Sequence, residues 1–398
     1  MLTGLDRLLA SDDLKKALGR ERIALLAHPA SVTRDLTHAR TALAEAGVLP
    51  ELIFGPEHGY GGEAQDMIGV SDARDVRGTP VRSLYGARFE DLSPTGADLH
   101  GIDRLLIDLQ DVGARYYTFI WTAVLALRAA SKHGVRVLVL DRPNPLGADP
   151  RTLEGKLQDE GYCSFVGLER IPIRHGLTLG EVVAWRALIE EVPRALLDVM
   201  RVKDLEPAAH AGAWDRPFVM PSPNMPCYDT ALVYPGGCLL EGTNLSEGRG
   251  TTRPFEILGA PWIDGAALAR DFNAERLAGV RVRALTFLPT FHKFAGQACG
   301  GVQVHVTEAQ AFRPVRAYAL LIALAQRQDP VRFKFRTERY EFVEGVPAFD
   351  LLVGSGRARE AMLAGVLPSD VATEVAEAGR HEMEAVRDAS EATERYSL

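Results

Sequence analysis

Five short apolar runs, RIALLAHPA, ELIFGPEHG, VRSLYG, RLLIDLQDVG and VRVLVLDRPNP, recur early in the chain, and each ends in polar, glycine or proline residues. Helical patterns such as HARTALAEAG and TFIWTAVLALRAASKHG lie between several of them. A strand that is apolar at nearly every position must be covered on both faces, and strands separated by helices run parallel. The pattern therefore predicts an α/β fold, a doubly wound, mostly parallel sheet with helices on both sides. Ligands of such sheets bind beyond the carboxyl ends of the strands, so the ends of these runs are where chemistry is expected.

A further strand-helix pair is read at RIPIRHGLTLGEVVAWRALIEE, where Thr178 and Glu181 fit a capping box at the helix start. From about Arg216 to Ile263 the composition shifts to a loop rich in proline, glycine and asparagine. Beyond it come strands at VRVRALTFLPT and GGVQVHVT, a helix at PVRAYALLIALAQR and a long polar helix near the end. At 398 residues the chain exceeds what one core comfortably holds, and two domains are expected. The division falls near Thr230: a doubly wound catalytic domain over 1–230, and a smaller α+β domain over 231–398 that completes the cleft. A net charge of −8 argues against a nucleic-acid-binding face, and no apolar run reaches the length of a membrane span. The first residues, MLTGLDRLLASDDLKKALG, carry charges throughout and lack the apolar stretch of a signal peptide. Cys163, Cys227, Cys238 and Cys299 show no C-x-x-C spacing and read as free thiols. A cytoplasmic location is the expectation.

The run ends supply His28, then Glu57 and His58, then Tyr85, then Asp108, Gln110 and Asp111, then Asp141 and Arg142. That concentration makes the glycine-rich stretch GPEHGYGG part of a pocket wall rather than an isolated turn. GYGG lacks the spacing of a phosphate loop, and no G-x-S-x-G elbow is present. DRPNPLG, with Asn144, reads equally as a pocket edge or as a proline-fixed turn in which Asp141 caps backbone amides. His28, His58, Asp66, Asp111 and His175 can be grouped on paper, but they lack the local spacing of a metal motif. No metal or other cofactor is expected. His175 is as well suited to bracing a helix start as to touching a ligand. The inter-domain stretches PSPNMP and YPGGCLLEGTNLSEGRGTTRPFEILGAPW carry Asn224, Glu241, Asn244, Glu247 and Arg249. Carboxylates, amides and arginines together suit a polyol ligand with an acidic substituent.

GPEHGYGG, LQDVGARYYTF, DRPNPLG, SFVG, IPIRHGLTLGE, PSPNMP and EGTNLSEGRGT follow one another in this order. In that order they resemble the exo-β-N-acetylmuramidases of the NamZ type, glycoside hydrolase family 171. The resemblance implies a Rossmann-like first domain, a smaller second one, and release of N-acetylmuramic acid from the non-reducing ends of peptidoglycan fragments. It makes Glu57 the expected proton donor, with His58 beside it to position it. Asp111, Glu241 and Glu247 are candidates for the second catalytic group, and the substrate's own acetamido group is another. Arg115 and Arg249 suit the lactyl carboxylate, which a guanidinium grips with two parallel hydrogen bonds. Tyr116 and Tyr117 suit a sugar face, whereas Trp121 falls in a helical pattern and reads as core. His28, Gln110, Asp141, Arg142, Asn144, His175, Asn224 and Asn244 complete the expected binding set. Two rival readings share the pocket: a lyase acting on the lactyl ether, and a wall-fragment receptor without catalysis.

Overall fold

The computed structural model describes residues 1–65 and 67–398. Seven strands form the large sheet: β1 (Ile23–Ala27), β2 (Pro50–Gly55), β3 (Ala73–Arg74), β4 (Pro80–Ser83), β5 (Arg104–Asp108), β6 (Arg136–Leu140) and β7 (Leu197–Met200). Their order is β3-β4-β2-β1-β5-β6-β7, and every pairing is parallel except that of the short edge strand β3 with β4. The chain steps outward from β1 through β2 to β4 and then resumes at β5 on the other side of β1. The switch in direction between β1 and β5 opens the crevice in which sheets of this kind bind ligands.

The helices of this layer are α1 (Gly4–Ala10), α2 (Asp12–Leu18), α3 (Ala39–Glu45), α4 (Gly96–Leu99), α5 (Phe119–Lys132) and α6 (Leu179–Ile189). Alternation along the strands divides the apolar side chains between the two faces. Leu25, Leu106 and Leu138 pack with Leu5, Leu8, Leu18 and Leu43 from α1 to α3. Leu26, Ile107 and Val139 belong to the larger cluster that holds Ile120, Val124 and Val183 from α5 and α6.

The remainder contains α7 (Tyr228–Gly237), β8 (Ile257–Ala260), α8 (Gly265–Ala274), β9 (Val280–Phe287), β10 (Cys299–Val306) and α9 (Pro314–Gln328). Four more helices follow: α10 (Ala348–Val353), α11 (Arg357–Leu363), α12 (Pro368–Ala376) and α13 (Arg380–Tyr396). The second sheet is antiparallel in the order β8-β10-β9. The large apolar cluster continues through Val233 of α7 and Leu320 of α9 into Val302 of β10, joining the two halves.

Three sequence expectations are corrected. RIPIRH is not a strand of the sheet; Arg174 makes only isolated bridges to Ala114 and Glu154. β7 takes the last place in the sheet instead, beside β6. The stretch from Arg216 to Ile263 is not one loop, because α7 and β8 form within it. Burial overrides composition there: Gly236 stands inside the helix at a point where any Cβ would collide with the carbonyl oxygen of Pro314. The last helix also leaves the C-terminal layer. Ser390 donates to Glu181 at 2.8 Å, Tyr396 to the Val192 carbonyl at 3.1 Å, and Ser397 bridges Val199 of β7. In space α13 belongs with the first layer.

Candidate active site

A cavity of about 510 Å³, open mouth included, lies between the carboxyl end of β2, the start of α5, and the segments after α7 and around residue 340. Glu57 and His58 enter it from the loop after β2. That loop turns back at once, and a Cβ on Gly55 would strike the Tyr60 amide. His58 takes a left-handed backbone conformation at φ 70°, and its Nδ1 lies 2.8 Å from the Ala64 carbonyl. His58 therefore fixes the loop that presents Glu57. Glu57 is 5% exposed; its Oε2 accepts from Thr118 Oγ1 at 2.7 Å and its Oε1 from the Met67 amide at 3.4 Å. Thr118 stands at the N-terminal cap of α5, so a helix start and a strand end hold one carboxylate between them.

The opposite wall comes from the second half of the chain. Glu241 accepts from Arg249 Nη2 and from the Tyr340 hydroxyl, both at 2.7 Å. Arg249 also approaches Glu247 at 3.2 Å and lies over the Phe255 ring at 5.2 Å. Glu247 is fully buried, which alone would raise its carboxyl. Lys293 and His292, each 2.9 Å away, and Arg249 hold it far below the usual range instead. Glu341 completes the wall, and the Tyr85 hydroxyl donates to it at 3.1 Å. Tyr85 is pushed far upward, first by burial and then by the charges of Glu57 and Glu341, so its phenol keeps its proton.

Of the expected site residues, the structure brings Glu57, His58, Tyr116, Tyr117, Asn224, Glu241 and Arg249 to this cavity. The others lie outside this cavity and hold different posts. His28 is fully buried; its Nε2 accepts the Gln110 amide at 2.8 Å, and burial and then Arg142 drive it well below the usual histidine range. Gln110 donates to the carbonyls of Asp111 and Pro143. Arg142 grips Asp108 through two nitrogens at 2.5 and 2.9 Å, a buried pair across the ends of β5 and β6. Asn144 closes its own turn through Leu146 and Leu177. Asp111 accepts from Gly113 at 2.7 Å, with His175 Nε2 3.3 Å away, and His175 Nδ1 accepts the Leu177 amide. Asn244 ties its loop to the backbone of Arg332 and Lys334. Glu247 stands behind Arg249 rather than on the cavity surface. Arg115 is fully buried and donates to the carbonyls of Lys156, Ile171, Leu352 and Val353, an internal clamp outside the cavity lining.

Asp141 likewise caps α6. It accepts from Thr178 Oγ1 and Gly180 N at 2.8 Å and from Arg142 N at 3.0 Å. Burial nonetheless pushes its carboxyl up to about 7. A carboxyl raised this way holds its proton longer in the folded state, so its contribution to stability is lost as pH rises from about 4 to 7. Urea unfolding at pH 5 and pH 7 should show Asp141→Asn losing less stability over that interval than the unmodified chain. The difference should be up to about 2 kcal/mol, since one pKa unit is worth about 1.4 kcal/mol. Parallel losses in both proteins would assign the dependence to other groups.

Sequence reasoning missed Thr118, Ser222, Tyr234, Tyr340 and Glu341 as wall residues. Thr118 was within reach, because it immediately precedes the helical pattern FIWTAV, where an N-cap is expected. Nothing in the local sequence singles out Glu341. Among the described residues no cluster of three or more histidine, cysteine or acidic side chains could hold a metal ion, and Asp66 lies outside them.

Comparison with known proteins adds an independent line. Residues 23–229 match the family described as exo-β-N-acetylmuramidase NamZ, N-terminal, and residues 232–388 its C-terminal counterpart. The chain is 40% identical over 357 residues to the peptidoglycan β-N-acetylmuramidase NamZ of Bacillus subtilis (strain 168), covering 89% of this chain and 82% of that protein. Two crystal structures of DUF1343 family proteins from Bacteroides fragilis NCTC 9343 are similar over the whole chain and 98% of each neighbour. One has a TM-score of 0.83 at 28% identity, the other 0.69 at 25%.

Proposed function

The chain belongs to the NamZ exo-β-N-acetylmuramidase family, and from that premise we propose that it releases N-acetylmuramic acid from the non-reducing ends of peptidoglycan fragments. The observation that carries the assignment to this cavity is Glu57, nearly buried and hydrogen-bonded by Thr118, facing Arg249 from the other half of the chain. Hydrolysis needs a proton for the leaving oxygen and a second group acting at the anomeric carbon. Glu57 is the donor in this reading. Arg249 reads the lactyl carboxylate, and Tyr117, Phe119 and Phe255 offer ring faces to the sugar. The layer formed by residues 1–230 carries the donor, and residues 231–398 close the cleft so that only a chain end enters.

A place in cytoplasmic wall recycling belongs to the same proposal, supported by four cysteines with free thiols. No helix among the described residues is long and apolar enough to cross a membrane.

The direct test is incubation with a chromogenic β-N-acetylmuraminide beside the matching glucosaminide, with analysis of the products. Free N-acetylmuramic acid is the expected product. Free lactate would identify a lyase, and binding without turnover a receptor. Activity should also survive exhaustive chelation unchanged, because the groups at the cavity can supply a proton and charge pairing from side chains alone. A loss restored by one divalent ion would overturn that expectation and bring the histidine and aspartate groups back into consideration.

A further inference from the structure

Glu341 occupies a place that the backbone resists. Tyr340 and Val343 exchange both main-chain hydrogen bonds, at 3.0 and 2.9 Å, so Glu341 and Phe342 are the two central residues of a tight hairpin turn. Both are left-handed, with φ of 42° and 69°. A turn of that shape favours Asn-Gly, and a glutamate followed by a phenylalanine is a costly occupant. Such strain persists only where the surroundings impose it, and it gathers at functional sites. Here Phe342 anchors the turn, its ring 5.9 Å from that of Tyr85, 6.2 Å from Phe89 and 6.0 Å from Phe165. The anchored turn holds the Glu341 carboxylate, 5% exposed, on the wall of the cavity that contains Glu57. The Tyr85 hydroxyl lies 3.1 and 3.4 Å from its two oxygens and also interacts with Glu57. One phenolic proton stands between two carboxyl groups and can serve only one at a time.

We propose that Glu341 is the second catalytic carboxyl group, taking the proton of the attacking water, and that Tyr85 returns that proton to Glu57 after each turnover. The proposal rests on the muramidase reading and deepens it. In the reaction the bond from the anomeric carbon to the leaving oxygen breaks, and that oxygen takes the proton of Glu57. The oxygen of water bonds to the anomeric carbon, and its proton passes to Glu341. One turnover thus leaves Glu57 without its proton and Glu341 with one too many. Tyr85 resets the pair by accepting from Glu341 while giving its own proton to Glu57. In a double-displacement mechanism the acid recovers its proton directly from water, and no such bridge is required. Direct attack of the water that Glu341 deprotonates on the anomeric carbon is a single displacement, which inverts the configuration.

Wild-type turnover of the muraminide tests the underlying reading; the configuration of the first sugar released then tests this one. Proton NMR during early turnover should show the α-anomer first from a β-linked substrate. Glu341→Gln should lower kcat by about a hundredfold to ten-thousandfold with KM within about threefold, the range for removing a general base. Glu341→Asn should lose as much activity without a fall in Tm, because asparagine suits the left-handed turn. Tyr85→Phe should lower kcat by roughly tenfold, less than either Glu341 variant, because bulk water can replace a relay more readily than a base. First release of the β-anomer would overturn the pairing while leaving the muramidase reading intact. So would a loss of less than tenfold in both Glu341 variants, or an activity loss that simply tracks a lowered Tm.

Discussion

Glu57→Gln should abolish turnover while leaving the fold and ligand binding in place. Glutamine has nearly the same size, and its side-chain oxygen can still accept the Thr118 hydroxyl that now meets Glu57 at 2.7 Å. What it cannot do is give up a proton to a leaving oxygen. General acid catalysis contributes about a hundredfold to ten-thousandfold, so kcat should fall by that factor on a natural disaccharide, with KM little changed. The loss should shrink on an activated aryl muraminide, whose leaving group departs with less help from a proton. Comparing kcat on the two substrates checks both the size of the effect and its cause. A loss below tenfold on the disaccharide would remove Glu57 from the acid role and pass it to another carboxylate of the cavity.

The cluster of strand-end residues and the structure built from them agree most closely where the apolar pattern is unbroken. IALLA at β1 is buried at all five positions, as a central strand apolar on both faces must be. RIPIRH has only half its positions apolar and stays outside the sheet, and the run LDVM takes the edge place as β7. The site was legible in its first half because strand ends follow directly from strands. His28, Arg142 and Asp141 show the limit of that reasoning. A polar group at a strand end is equally useful for tying neighbouring strands together, and sequence does not distinguish that use from contact with a ligand. Glu341 was out of reach for a different reason. Its position depends on a hairpin held by Phe342 against Tyr85, Phe89 and Phe165, aromatic residues far away in the chain.

Selectivity between the two sugars of the wall should fail when Arg249 is replaced by methionine. Muramic acid differs from glucosamine by a lactyl ether that carries a carboxylate at neutral pH. Desolvating that carboxylate without a cation costs several kcal/mol, so a guanidinium is needed where it lands. Of the two arginines suited to it by sequence, Arg115 is fully buried away from the cavity with both terminal nitrogens bound to main-chain carbonyls, whereas Arg249 lines the cavity. Arg249 already faces Glu241 and Glu247, and that arrangement decides how the variant must be read. After its removal Glu247 keeps Lys293 and His292, and Glu241 keeps Tyr340, so neither carboxylate is stranded. Arg249→Met should therefore fold, with Tm as the control. Its kcat/KM for the muraminide should fall by about 2–5 kcal/mol of recognition, roughly thirtyfold to several thousandfold, the range for removing one partner of a buried charge pair. The glucosaminide, which brings no carboxylate, should lose far less. Equal losses on both sugars would make Arg249 a brace for Glu241 and place the reading of the lactyl group elsewhere on the cavity wall.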